Sequence, residues 1–181
     1  MATELEIRFL DIDIDALVNK LESLGAKKVG DWFYNRFIFQ FPGFRYGGDE
    51  RNRKWLRVRT NGEQATMTYK QIHAQTIDGT EEIEFGIDDF DAGVLFLEKL
   101  GFQKEGPQQN KRVRYMLGEV EIDIDTWPKC PPWVEVEGKT EKQIKDACKK
   151  LGLDYKKGTT QGILDILIGY GYDKDQKECR F

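Results

Sequence analysis

Charged and apolar residues alternate at every second position along much of this chain, and that pattern constrains its fold more than any other feature. Eight segments carry it: Glu4–Phe9, Phe33–Phe41, Trp55–Thr60, Ala65–Gln71, Glu81–Ile87, Lys111–Leu117, Glu119–Trp127 and Trp133–Lys139. A period of two is that of a β-strand, whose successive side chains leave opposite faces. Glu4, Glu6 and Arg8 thus share a face opposed by Leu5, Ile7 and Phe9. Arg57 and Arg59 oppose Leu56 and Val58, Thr66, Thr68 and Lys70 oppose Met67 and Tyr69, and Glu82 and Glu84 oppose Ile83 and Phe85. Glu121, Asp123 and Asp125 oppose Val120, Ile122 and Ile124, while Glu135 and Glu137 oppose Val134 and Val136.

Four helices are expected between and after these strands: Ile14–Leu24, Asp91–Leu100, Glu141–Leu151 and Thr160–Tyr170. The first two have Asp near the start and Gly just past the end, as helix caps prefer. The chain also repeats itself. Gly25 and Gly101 stand 76 positions apart; at that shift Asp15 meets Asp91, Val18 meets Val94, Lys28 meets Lys104, Gly30 meets Gly106 and Arg36 meets Arg112. Each half, about 1–75 and 78–152, runs strand, helix, three strands. Two such halves predict one α+β domain over 1–172, a closed eight-stranded antiparallel β-barrel with helices packed outside. Closure removes exposed strand edges. Residues 173–181 form a charged tail expected to fray, and the polar loop Pro42–Lys54 is expected to be mobile.

The charged faces have two readings. They meet water, as in an ordinary half-exposed antiparallel sheet. Alternatively, the amphipathic helices cover the apolar faces from outside and the charges point into the barrel, which has room for one small ligand. Carboxylates side by side in an interior need cations to offset them. Arginines and lysines supply part of that charge, and a divalent metal supplies the rest. A triphosphate bound with metal suits such a lining: guanidinium forks match phosphate oxygens, and carboxylates suit Mg2+ or Mn2+.

Composition works by exclusion. Charged residues make up 33% of 181 residues, above the roughly 25% usual for globular proteins, yet the net charge is −4. That balance argues against a nucleic-acid partner. The single histidine, His73, argues against a Ser-His-Asp triad or a multi-His metal site, and a surface position is expected for it. Cys130, Cys148 and Cys179 are too widely spaced for a zinc knuckle or redox pair, so reduced thiols are expected. Met1–Glu6 is acidic and lacks an apolar signal core. No run reaches the ~18 apolar residues of a membrane span. A cytoplasmic protein with no membrane partner is the expectation.

Glu4-Leu5-Glu6-Ile7-Arg8 resembles the ExExK signature of the CYTH domains, the triphosphate tunnel metalloenzymes. The similarity continues in order through Leu56–Arg59, Thr68–Lys70, Glu82–Glu84, Arg112–Tyr115, Glu121–Asp125 and Trp133–Glu137. The resemblance implies an eight-stranded tunnel that depends on Mg2+ or Mn2+. It implies metal binding by Glu4, Glu6, Glu135 and Glu137, with Glu82, Glu84, Asp123 and Asp125 completing the acidic side. It implies phosphate binding by Arg57, Arg59, Lys70 and Arg112; Arg36, the repeat partner of Arg112, and Arg114 join that set. Arg8 and Lys70 are the positions expected to take part in catalysis. Two departures stand out. Arg8 replaces the lysine that orients the attacking water in the family's triphosphatases, and a guanidinium holds phosphate but does not readily give up a proton. Asn110 replaces the lysine of the family's K-x-R-x-x-Y strand, with Arg114 at the right parity to compensate.

The family includes class IV adenylate cyclases, thiamine triphosphatases, inorganic tripolyphosphatases and RNA triphosphatases. The acidic set Glu82, Glu84, Glu135 and Glu137 resembles the triphosphatases more than the cyclases. Metal-dependent hydrolysis of a small triphosphate is therefore the leading expectation. Formation of cyclic AMP and pyrophosphate from ATP is the alternative, and non-catalytic binding of a triphosphate or polyphosphate is a second. Family members often dimerise; the sequence neither supports nor excludes a homodimer.

Overall fold

Strands form where charge and apolarity alternate. The computed structural model describes the backbone of residues 2–43, 53–173 and 178–181, and their side chains from Leu5 onward. Most of the loop Pro42–Lys54, with Arg45 and Arg51, lies outside the described residues. Nine strands are present among them: β1 (Ala2–Glu4), β2 (Glu6–Phe9), β3 (Lys27–Gln40), β4 (Lys54–Thr60), β5 (Ala65–Ile72), β6 (Thr80–Ile87), β7 (Gln103–Leu117), β8 (Val120–Thr126) and β9 (Trp133–Glu137). They make one curled antiparallel sheet in the order β1-β6-β5-β4-β3-β7-β8-β9-β2. The expected single strand Glu4–Phe9 is thus two short ones, divided at Leu5. One half ladders onto β6 and the other onto β9, so both ends of the sheet come from the same N-terminal segment. The Glu6 N–H also donates to Ile77 O, at 3.3 Å, in the β5–β6 connection.

β3 and β7 start well before the positions expected from alternation. Gly30, Gly106 and Pro107 look like strand breakers in sequence, but the ladder absorbs them as register shifts at Lys28/Gly30 and Arg36/Ile38. Gly30 is required for space: a Cβ there would run into the Trp32 ring. The two long strands pair with each other, Trp32 opposite Arg112, Tyr34 opposite Asn110 and Arg36 opposite Gln108. Tyr34 and Asn110 are themselves 76 positions apart, so the axis relating the two halves passes between them.

The helices are α1 (Ile14–Ser23), α2 (Phe90–Lys99), α3 (Glu141–Leu151) and α4 (Ile163–Gly169). Asp13, Asp89 and Thr140 cap the first three, accepting from Ala16, Ala92 and Gln143 N–H groups. Such caps contribute about 1 kcal/mol each. α4 is shorter than expected because Thr159 is drawn into a strand-like bridge with Arg8, exchanging hydrogen bonds of 2.9 and 2.8 Å. Leu17 and Leu21 of α1 and Ile144, Cys148 and Leu151 of α3 bury against Ile7, Phe9, Ile122, Ile124, Val134 and Val136. Val94 and Leu97 of α2 bury against Phe39 and Val58. α4 differs: its Ile166 and Leu167 pack on Trp127 and Trp133. By strand parity these two rings lie on the face of Asp125, so α4 sits at one end of the charged side.

The expected fraying of the tail is not seen at its end. Cys179 is buried, its N–H donates to Pro107 O at 3.0 Å, and its carbonyl accepts from Gln109 N–H at 2.7 Å. The cause is an open edge: β8 pairs only with Lys111–Leu117, leaving the earlier part of β7 unladdered on that side. No helix of the described residues is long and apolar enough to cross a membrane.

Candidate functional site

Because α1, α2 and α3 cover most of the apolar face, leaving Ile83 and Phe85 of β6 exposed, the charged face is the concave one. Asp125 is 0%, Asp123 2% and Glu135 4% exposed. For β8 and β9 the reading in which these faces simply meet water is excluded, whereas Glu84 on β6 is exposed. A cavity of about 330 Å³ opens on this side, with Glu6, Arg8, Arg36, Arg57 and Lys70 among the residues that line it.

One wall is built around Arg112. Its Nη1 lies 2.7 Å from Asp123 Oδ2, its Nε donates to Asp125 Oδ1 at 2.8 Å, and its Nη2 donates to Glu135 Oε2 at 2.7 Å. Three carboxylates share one guanidinium, and each finds a different second partner. Asp123 accepts a bidentate pair from Arg114 at 2.7 Å. Glu135 accepts from Arg8 Nε at 2.7 Å. Asp125 accepts only a neutral donor, Asn110 Nδ2, at 2.9 Å. The titration behaviour follows. Burial would raise Glu135, but Arg8 and Arg112 outweigh it and hold the group well below the usual carboxylate range. Asp125 is pushed up by burial, which Arg112 does not overcome and the charge of Glu135 reinforces. Arg112 stays charged despite burial, because Asp125, Glu135 and Asp123 surround it. Asn110 in place of a lysine thus leaves one carboxylate of the cluster short of a cation.

The facing wall belongs to β4, β5 and β6. Arg57 Nη2 donates to Thr68 Oγ1 at 3.0 Å and Glu84 Oε2 at 2.9 Å, and the Thr68 hydroxyl donates to the same Glu84 oxygen at 2.6 Å. Lys70 Nζ lies 2.6 Å from Glu82 Oε2. Burial would raise Glu84, yet Arg59 and Arg57 keep it below its ordinary value. Burial, with Arg57 alongside, brings Arg59 down to about 10. It remains charged at neutral pH and lies over the Tyr34 ring.

Glu6 faces Glu137 across β2–β9, and Glu121 follows on β8. Glu4 stands opposite Thr80 in the β1–β6 ladder, and its side chain lies outside the described residues. The Glu6–Glu137–Glu121 row consists of hard oxygen donors, which suit Mg2+ or Mn2+. No three acidic, His or Cys side chains of the described residues converge on one point, because arginines hold most of the expected metal ligands. Arg8 is the clearest case. It donates to Glu135, to Glu6 and, at 2.9 Å, to Gln161 O. Burial is outweighed by Glu6 and Glu135, so its pKa is raised. It carries charge here and cannot act as a base.

Sequence reasoning placed Arg36 among the phosphate ligands only through the repeat, and missed its setting. Arg36 is 4% exposed, makes no ion pair among the described residues, donates to Asn110 Oδ1, and stacks on Trp127 with its guanidinium carbon 4.8 Å from the ring centroid. Burial, followed by the charges of Arg57 and Arg59, lowers its pKa well below the usual value. The signal available in sequence was Trp127 at the parity of Asp125. His73 is half-exposed beside Glu81, as expected, and all three cysteines are free.

Comparison with known proteins agrees with the geometry. The CYTH domain description matches residues 2–163. Among solved structures, the PH1012 protein of Pyrococcus horikoshii OT3 is 25% identical with a TM-score of 0.75, covering 90% of this chain and 98% of its own. A candidate adenylate cyclase of Vibrio parahaemolyticus is 16% identical with a TM-score of 0.74, over 92% of this chain and 98% of its own. A candidate adenylyl cyclase of Hippeastrum, described as revealing a dominant triphosphatase activity, is 15% identical with a TM-score of 0.62, over 96% of this chain and 98% of its own. Among curated proteins none matches significantly. With its family match spanning nearly the whole length and its charges turned inward on a curled antiparallel sheet, the chain belongs to the CYTH domain family.

Proposed function

We propose that this protein is a divalent-metal-dependent hydrolase of a small triphosphate held in the charged cavity. The observation that carries the reading is the pairing of two walls of mixed charge around one opening, with Arg57, Lys70, Arg8 and Glu6 all lining it. Arg57, Arg59 and Lys70 hold the phosphates as charge-assisted donors; Glu84, the partner of Arg57 and Arg59, is exposed and can be solvated when they turn to phosphate oxygens. Arg112 and Arg114 are already saturated by Asp123, Asp125 and Glu135, and they act as braces for that wall.

The donor set fits Mg2+ or Mn2+, with Glu6 and Glu137 as the residues that would hold it and Glu4 close to Glu6 in sequence. Such an ion would offset charge between the carboxylates and the phosphates and polarise a phosphoryl oxygen. Arg8 fixes Glu6 against Glu135 and the Gln161 carbonyl, so it presents the acidic row in one orientation. Lys70 contributes a point charge toward the cavity. Phosphoryl transfer needs mainly such positioning and charge stabilisation.

The test is a product assay. Incubation with ATP, inorganic tripolyphosphate and thiamine triphosphate under Mg2+ or Mn2+ is followed by separation of phosphate, pyrophosphate and cyclic nucleotide. Release of phosphate supports hydrolysis. Cyclic AMP with pyrophosphate replaces it with the cyclase reading, and tight binding without any product replaces it with the binder.

A further inference from the structure

α2 carries apolar residues on two sides. Val94 and Leu97 bury against the sheet, with Phe90 and Gly93 beside them. Ala92, Leu95, Phe96 and Lys99 form a second stripe at i, i+3, i+4 and i+7, and all four are exposed. A helix that is apolar all round belongs in an interior rather than on a surface. The fold itself does not require this stripe. At the matching places 76 positions earlier, α1 has Ala16, Asn19, Lys20 and Ser23, also exposed. The patch continues onto β6. A Cβ at Gly93 would meet Ile87 of β6 and Met67 of β5, and Met67 pairs with Phe85. The helical period puts Phe96 and Leu100 on the same side of α2 as Gly93. Ile7 of β2, 78 positions before Phe85, is buried in the cluster that α3 helps to form. β6 has no such cover, because the connection from β5 to β6 contains no helix.

Ile83, Phe85, Leu95, Phe96 and Leu100 are each between 45% and 59% exposed. At roughly 200 Å² for a large side chain, they present about 500 Å² of apolar surface. A stable interface buries about 800 Å² per partner, about 65% of it apolar in homodimers, so this patch matches the apolar share of one such interface. Its charges fit a copy of itself. Asp91 and Lys99 lie about 12 Å apart along the helix with Leu95 midway. Neither has an ion pair among the described residues. A two-fold axis at Leu95 crosses two α2 helices antiparallel and sets each Asp91 against the Lys99 of the other copy. We propose that this chain forms a homodimer in which α2 packs antiparallel on α2 of a second copy. Leu95 and Phe96 turn the contact toward β6, so the second helix covers Ile83 and Phe85. The inference is independent of the triphosphate reading, because none of these residues lines the cavity.

Sedimentation equilibrium of the full chain across the micromolar range tests this, with circular dichroism to check that each variant stays folded. The parent protein is expected to show a monomer–dimer equilibrium. Phe96→Glu, at an exposed position, weakens dimerisation at least about thirtyfold, as loss of a central aromatic does. Asp91→Lys and Lys99→Asp each turn two ion pairs into like-charge pairs and weaken it about tenfold, while their equimolar mixture rebuilds both pairs and returns to within about threefold of the parent. A parent protein that is monomeric throughout overturns the proposal, and flotation of that monomer with phosphatidylglycerol vesicles would assign the patch to a lipid surface instead. A dimer indifferent to Phe96→Glu has its interface elsewhere, which sinks the proposal equally. Loss of the dimer in Phe96→Glu without recovery in the mixture refutes the antiparallel pairing of α2.

Discussion

Replacing Arg112 with methionine removes the one guanidinium shared by Asp123, Asp125 and Glu135. Arg114 and Arg8 still reach Asp123 and Glu135, but Asp125, fully buried, keeps only Asn110. Breaking a buried ion pair from one side costs about 3–5 kcal/mol, because the remaining charge is left in a poor solvent. For a chain of this size, each kcal/mol moves Tm by about 2–4 °C, so a fall of about 6–20 °C at pH 8 is expected. The sign of the pH dependence is the sharper test. Asp125 already has a raised folded-state pKa. A raised carboxylate contributes stability below its unfolded value and loses it as pH rises through the folded value. Without Arg112 that folded value climbs further, each unit adding about 1.4 kcal/mol of loss at alkaline pH. Thermal unfolding followed by circular dichroism at pH 5 and pH 8 should therefore show the variant losing more stability than the parent across that interval. Parallel curves, with the same drop at both pH values, would mean that Arg112 contributes packing alone and that the charge cluster has been misread.

Glu6→Gln should reduce Mg2+-dependent turnover to background while the far-ultraviolet spectrum stays unchanged; retained activity would remove Glu6 from the metal row. Arg57→Ala should weaken tripolyphosphate binding about 10–100-fold, the loss of a charge-assisted bond of about 1.5–3 kcal/mol, and weaken monophosphate binding far less; equal losses count against phosphate contact. Gly30→Ala should lower the urea midpoint by an amount equivalent to about 1–3 kcal/mol, because the new methyl displaces the Trp32 ring. Adding Trp32→Ala should recover part of that loss, whereas an additive double variant would place the strain elsewhere.

Much of the fold was legible because charge alternation leaves only one way to put helices on the outside. The pairing of Glu82 with Lys70 and of Asp125 with Arg112 follows from strand order and parity, both of which alternation and the repeat supply. What stayed hidden depended on hydrogen bonds between segments distant in sequence. The break at Leu5 arises because Glu6 bonds to Glu137's strand and Ala2–Glu4 to β6, a division that no local pattern records. Thr159 reads as the approach to a helix and becomes a strand neighbour of Arg8. The tail end reads as solvated charge, yet Cys179 fills an edge that exists only because β8 is short. Gly106 and Pro107 carry a strong local preference against strands, overridden by the long β3–β7 ladder.

The repeat is most informative where its two halves disagree. Arg36 and Arg112 occupy the same place in each half and lie on the same two paired strands, so backbone geometry cannot explain their different surroundings. The difference comes from the neighbours. Arg112 faces Asp125 on β8, with Asp123 and Glu135 close by, and its charge is consumed in holding a wall together. Arg36 faces Arg59 on β4, and its own ring contact is Trp127. A guanidinium caged by three carboxylates is costly to remove and contributes little to a ligand, since its donors are taken. A guanidinium opposed by like charges is unfavourable in the empty protein and gains most when an acceptor arrives. Stability and binding should therefore separate across the pair: loss of Arg112 registers chiefly in unfolding, and loss of Arg36 chiefly in what the cavity holds.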